Sequence, residues 1–316
     1  MATHTAAMHH PIPFIVVEDR QNRALALCRE SASRARENLV VLSDVDAGAA
    51  YEQLCRDYVH LSSNTPEFEK ICFRRYFLLT AYLKRNPACT HFVLIDSDVL
   101  LFRGIGAHVH RAVGQSDFAG SYIRPSASWD PCQISPHVSY WTAQGLLQFV
   151  AFVLQTYGTP EGIASLRAIA DRFTARGLRG GVSDMTLLYL WAQASGNAMP
   201  INRVIRGRVI DHNINASDNL EHQEFRLHGG AKRIGYVDGQ PYLTGADDQK
   251  VVALALHFQG RAKMAMGPAL HGRAYWVAGL TYAIYAARVA KNMGYRITSA
   301  LRRSGGGEYL DARAAK

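Results

Sequence analysis

Cysteine is scarce and scattered. Cys28, Cys55, Cys72, Cys89 and Cys132 form no Cys-x-x-Cys and are odd in number, which argues against a disulfide framework or a zinc ribbon. They are expected as reduced, mostly buried thiols. Acidic residues are in deficit, 26 Asp plus Glu against 35 Lys plus Arg for a formal net charge of +9, so an anionic partner is expected. Nucleic acid, anionic lipid and a nucleotide diphosphate all meet that description. The basic residues do not interleave with aromatics in an RNA-binding pattern, and no helix-turn-helix or zinc pattern occurs, which sets nucleic acid aside. Internal repeats and low-complexity segments are also missing. The opening stretch, Met1 to Pro13, has histidines but no basic-then-apolar secretory pattern, so the expected location is cytoplasmic. The sequon at Asn215-Ala216-Ser217 carries no weight there.

What is present is material for a full core. A chain of 316 residues that is 48% hydrophobic suffices for a large α/β domain plus a small appendage. Short apolar runs alternate with helical patterns over the first hundred residues, which predicts βαβ units on a mainly parallel sheet. Strands are expected at Phe14 to Val17 and Leu39 to Leu42, with a helix from Asn22 to Glu37 between them. A second helix is expected near Ala49 to Asp57 and a weaker third strand at Tyr58 to Leu61. Thr65-Pro66 reads as a cap followed by proline at the first helical position. The best strand, His91 to Ile95, runs into Asp96-Ser97-Asp98, and ligands of open parallel sheets sit beyond such carboxyl ends. From Gly104 to Trp141, Gly, Pro and Ser predict loops laid over the sheet. Helix follows over Gly145 to Phe173 and Ser183 to about Ala194, then a last strand over Val251 to His257.

Two carboxylates directed into one crevice do not both ionise cheaply without a cation between them. Mg²⁺ and Mn²⁺ take oxygen ligands and leave positions open for phosphate. By itself Asp-x-Asp also arises as a turn or a helix cap. Near the other end stands His257-x-x-Gly260-x-x-Lys263. A neutral imidazole ligates Mn²⁺, glycine permits close approach of backbone to phosphate, and lysine neutralises a diphosphate.

Together the two motifs resemble the retaining glycosyltransferases of family 8, across roughly residues 12 to 265. The resemblance implies a GT-A fold, Rossmann-like with a mainly parallel sheet flanked by helices. It implies Mn²⁺ (or Mg²⁺) as cofactor and a nucleotide diphosphate sugar as donor, UDP-sugar by family habit. Carried over by motif, Asp98 and His257 bind metal, Asp96 touches metal or ribose, and Lys263 touches the diphosphate. Phe73-Arg74-Arg75-Tyr76-Phe77 is similar to the aromatic-x-Arg element that holds the donor, with Arg75 preferred over Arg74. Asp19 resembles the position that contacts the nucleoside. Asp184, 86 positions after Asp98 (184 − 98), is the candidate catalytic carboxylate on the acceptor side. Here Val182-Ser183-Asp184-Met185 departs from the family's Asp-Gln-Asp, which leaves retaining and inverting outcomes both open.

Other readings remain beside these. His212, Asn213 and Asn215 are candidates to face the acceptor, and Trp129, Tyr140 and Trp141 to stack on a sugar. A haloacid-dehalogenase-type phosphatase also places Asp-x-Asp after a strand, but normally on the first strand of its domain. An inactive nucleotide-sugar-binding relative is the non-enzymatic alternative. The chain is expected to divide into a catalytic domain, residues 1 to 266, and a basic helical appendage, residues 267 to 316. Ala274 to Ala287 holds 14 residues without a charge, too few for the roughly 20 of a spanning helix. Arg288, Lys291, Arg296, Arg302 and Arg303 follow, as in peripheral anchors on an anionic membrane surface. That arrangement suits a glycan or lipid-linked acceptor. Packing of Trp276, Leu280 and Ile284 on the domain is the alternative.

Overall fold

A computed structural model describes residues 12–43, 46–123, 133–178, 180–217 and 225–304. In chain order these form β1 (Phe14–Val17), α1 (Arg23–Ala35), β2 (Leu39–Leu42), α2 (Gly48–Asp57), α3 (Pro66–Arg85), β3 (His91–Ile95), β4 (Val99–Leu101) and α4 (Ile105–Val113). There follow β5 (Phe118–Tyr122), β6 (Ile134–Thr142), α5 (Ala143–Gly158), α6 (Pro160–Ala175), α7 (Asp184–Ser195), β7 (Ala198–Pro200) and β8 (Arg208–Ile210). The remainder is β9 (Leu227–His228), β10 (Ala231–Lys232), β11 (Ile234–Val237), β12 (Gln240–Thr244), β13 (Lys250–His257), a 3-10 turn (Gly260–Ala265), α8 (Met266–Leu270) and α9 (Ala274–Ser304).

The α/β expectation holds. The main sheet runs β2-β1-β3-β6-β5-β7, parallel at β2-β1, β1-β3 and β5-β7 and antiparallel on both sides of β6. A second sheet, β11-β12-β13-β4, also takes β8 alongside β13. The chain passes from one sheet to the other through Asp96-Ser97-Asp98, between β3 and β4.

Local signals account for the element starts. Asn22 accepts the Leu25 amide and caps α1, and Thr65 accepts the Phe68 amide ahead of Pro66 in α3, so each cap satisfies a donor the helix leaves open. Ser183 and Thr186 form a reciprocal capping box at α7. Gly180 and Gly181 before it have φ of 119° and 127°, and a Cβ on Gly181 would collide with the Leu61 carbonyl. Only glycine permits that approach. It locks the loop before α3 to the start of α7 through Val182 N–H to Leu61 O, 2.9 Å, and Ser63 N–H to Gly180 O, 2.7 Å.

Two expectations are corrected here. Tyr58 to Leu61 is not a strand, and the nearby pairing is an isolated Ser62–Gly181 bridge. Residues 104 to 141 are not mainly loop, since α4, β5 and much of β6 lie within them. Density of Gly, Pro and Ser hides a long buried strand whose stability comes from pairing with β3 and β5. Trp129 and Cys132 lie outside the described residues. The C-terminal segment joins the core: Met266, Ala269, Leu270 and Val277 pack with Ile234, Leu243 and Phe258. No helix among the described residues is long and apolar enough to cross a membrane.

Candidate functional site

Strand register brings the two motifs together. In the β4-β13 ladder His257 is opposite Val99, and the Phe258 amide donates to Asp98 O at 3.0 Å. His257 is thereby placed beside Asp98, with its Nε2 3.4 Å from Asp98 Oδ1. Ligand atoms of Asp96, Asp98 and His257 all lie within 4.8 Å of one another. Gly260, at φ 62°, opens the 3-10 turn that brings Lys263 Nζ to 3.0 Å from Asp98 Oδ2. Glycine is favoured in that left-handed backbone because it has no Cβ to clash.

The His257 tautomer is set from behind. Its Nδ1 donates to the His212 carbonyl at 2.6 Å, which leaves Nε2 as the nitrogen facing Asp98. A neutral ring then presents a lone pair to a carboxylate. Two facing acceptors at that distance call for a cation between them, either a proton or a metal ion. Burial opposes ionisation of Asp98, but His257 and Lys263 outweigh it and hold the carboxyl below its usual range. Burial likewise opposes charge on His257, and Asp98 outweighs it, raising the imidazole. The donor set of two carboxylate groups and one oriented imidazole fits Mn²⁺ or Mg²⁺.

On the other flank, Arg75 Nη1 donates to Asp96 Oδ1 at 2.8 Å and Arg75 Nε lies 4.0 Å from Asp184 Oδ2. Arg75, the preferred of the two candidate arginines, thus reaches Asp96 and Asp184. Asp184 is buried, and it also accepts from the Tyr76 hydroxyl at 3.0 Å and from the Met185 amide at 2.9 Å. Burial pushes its carboxyl up, against the pull of Arg75.

Several partners escaped the sequence reading. Glu18, beside the exposed Asp19, is tied to the Asp-x-Asp loop: it accepts from Ser97 Oγ at 2.8 Å and from Arg20 Nε at 2.7 Å. Burial raises the Glu18 carboxyl, yet the bonds from Arg20 and Ser97 prevail and bring it to about 2. His137 stacks on His257 with centroids 4.2 Å apart and planes at 13°. Its Nδ1 takes a 2.8 Å bond from Ser135, and its Nε2 donates to the Asp211 carbonyl at 3.3 Å. Burial, together with His257 and His212, keeps His137 uncharged, far below the ordinary imidazole value.

The acceptor-side candidates are redistributed. The His212 carbonyl orients His257, while Asn213 donates to Gln259 Oε1 at 3.0 Å and Asn215 to the Gln259 carbonyl at 3.5 Å. Trp141 is not available to a sugar, being fully buried and stacked on Trp191 at 5.7 Å, and Tyr140 is also core. The aromatic run of β6 is buried on both faces, so its side chains serve packing.

No protein-family model matches the sequence, and no curated protein matches it. Among solved structures, the chain is similar to the galactosyltransferase LgtC in complex with donor and acceptor sugar analogues, at 11% identity over 86% of this chain and 96% of that one, TM-score 0.39. It is similar to mouse xyloside xylosyltransferase 1, apo form, at 10% identity over 60% and 83%, TM-score 0.37. A glycosyltransferase involved in glycosylation of the major capsid of PBCV-1 matches at 13% identity over 47% and 66%, TM-score 0.30. Likenesses this loose leave the assignment to the site's own chemistry.

Proposed function

We propose that the chain is a metal-dependent glycosyltransferase that moves a sugar from a nucleotide diphosphate, UDP by the family resemblance, to a glycan or lipid-linked acceptor. The observation that carries the reading is the convergence of Asp96, Asp98 and His257 beyond β3, flanked by the cations Lys263 and Arg75. In this reading Asp98 and His257 hold Mn²⁺ or Mg²⁺, and Asp96, oriented by Arg75, adds a third ligand. The bound ion supplies Lewis-acid neutralisation of the diphosphate oxygens.

The remaining work falls to side chains. Lys263 is half-exposed on a short turn, so it is placed to leave Asp98 for the diphosphate, where negative charge grows as the sugar–phosphate bond breaks. Gly260 leaves backbone open to the same phosphates. Asp19, at the end of β1, is assigned to the nucleoside, and Glu18 holds that strand end to the Asp-x-Asp loop. Asp184 is assigned to the acceptor hydroxyl: a carboxylate raised by burial is a better proton acceptor than an ordinary one. We favour retention over inversion, to be read from the anomeric configuration of the product.

Exposed Tyr275, Trp276, Tyr282 and Tyr285 on α9 are assigned to an anionic membrane surface on the cytoplasmic side, where amphipathic rings sit among headgroups. Flotation with anionic vesicles tests this, and protein that stays unbound at low salt removes it.

Turnover with a panel of nucleotide sugars, with and without Mn²⁺ and with mass detection of released nucleotide, tests the main reading. Metal-dependent release is expected. If no nucleotide sugar is cleaved and none raises the melting temperature with Mn²⁺ present, the function is wrong.

A further inference from the structure

A second cleft, of about 720 Å³, lies between the β11-β12 hairpin and the start of α9. Its size is within the range of small-molecule sites. From α9 it is lined by Tyr275, Val277 and Ala278, an apolar and aromatic side. From the sheet it is lined by Arg233 and Lys250, which flank Thr244, together with Tyr242 beneath Lys250. The cleft shares no lining residue with the Asp96, Asp98 and His257 site.

Its charges do not cancel. Lys232 is spent on Asp211, 2.5 Å, and on the Asn213 carbonyl, 3.0 Å, and Asp248 is spent on Arg226 at 2.7 Å. Arg233 is exposed, and Lys250 Nζ rests 4.8 Å from the Tyr242 ring centroid. Among the described residues, neither of these two cations is paired with a carboxylate. The ring under Lys250 is fixed in place: Gly235 pairs with Tyr242 across the hairpin, and a Cβ at Gly235 would collide with that ring. Tyr275, 94% exposed, stands at the cleft with Trp276, 66% exposed, next to it.

Two uncompensated cations beside an apolar wall select a ligand with an anionic head and an apolar body. We propose that this cleft binds a phosphate-bearing amphiphile, its phosphate between Arg233 and Lys250 and its chain along Val277 and Ala278. A lipid headgroup and a free phosphate ion share the head chemistry, and the apolar wall favours the first. The inference concerns binding and stands apart from sugar transfer.

Titration calorimetry of the full chain with hexyl phosphate, inorganic phosphate and hexanol tests it. Hexyl phosphate is expected to bind at least ~10-fold more tightly than inorganic phosphate, since burial of even two methylenes is worth that factor. Hexanol is expected not to bind. Arg233→Ser with Lys250→Ser should weaken hexyl phosphate by at least ~10-fold through loss of charge-assisted hydrogen bonds. Ala278→Phe should block it from the α9 side, with melting temperatures of all variants near that of the parent. Equal affinity for inorganic and hexyl phosphate overturns the proposal, as does hexyl phosphate binding that survives in both variants.

Discussion

Two lysine–aspartate pairs stand a short way apart and behave oppositely. Lys232 and Asp211 are sealed in, with side chains 1% and 0% exposed, and the lysine has a second acceptor in the Asn213 carbonyl. Lys263 is 43% exposed and its Asp98 partner is shared with His257. In the first pair each charge exists for the other, and the gain is a fixed 211–214 segment whose His212 carbonyl orients His257. The second pair leaves a carboxylate that a stronger cation can claim and a lysine free to turn elsewhere. A salt bridge is therefore structural or functional according to what else its members face.

Replacing the sealed lysine tests that contrast most severely. Lys232→Met leaves Asp211 charged and buried, and denaturant unfolding should lose about 3–5 kcal/mol. The open lysine should behave in reverse. Lys263→Ala is expected to cost less than about 1 kcal/mol of stability yet slow turnover by roughly 10²–10³-fold at saturating donor, if it stabilises the leaving diphosphate. Unchanged turnover would make the open pair a mere surface contact.

Glu18 offers a pH test. Its carboxyl is depressed to about 2 from 4.5, so its contribution is present above the unfolded value and is lost as pH falls towards the folded one. Glu18→Gln should cost on the order of 2 kcal/mol at neutral pH, discounted for the exposed Arg20 partner. The gap to the parent should close as pH drops from about 5 to about 2. A gap independent of pH contradicts the bond pattern around Ser97.

The smallest effect is expected at His137. Removing the ring that stacks on His257, by His137→Ala, should weaken Mn²⁺ about 10-fold, as is typical of residues that orient a ligand. His137→Phe keeps the stacking surface and should recover most of the affinity.

Much of the site was legible in the sequence because its chemistry is local: an apolar strand ending in two aspartates, and a histidine, glycine and lysine at fixed intervals. Helix α3 was legible from Thr65-Pro66, and α7 from the two glycines before Ser183. What stayed hidden depends on distant pairing. Tyr58 to Leu61 has strand-forming side chains, but among the described residues it pairs in no ladder, and the bridge nearby joins Ser62 to Gly181. The β6 segment has few local signs of order, yet β3 places Val138 against Ile95 and so sets His137 beside His257. Alternation of Ser135, His137 and Ser139 with Ile134, Pro136 and Val138 was the available signal. At the end of β1, Glu18 and Asp19 are chemically alike, and only the strand's orientation decides which faces Ser97.

Titration of Mn²⁺ into the metal-free full chain tests the central claim, that Asp96, Asp98 and His257 form one cation site. The account predicts a single ion per chain, with binding lost in Asp98→Asn and in His257→Ala. It also predicts weaker binding at about pH 5.5 than at about pH 7.5, because the imidazole, which Asp98 raises against the opposing effect of burial, must first give up its proton. Absence of binding at millimolar Mn²⁺, or binding that both variants retain, would contradict it.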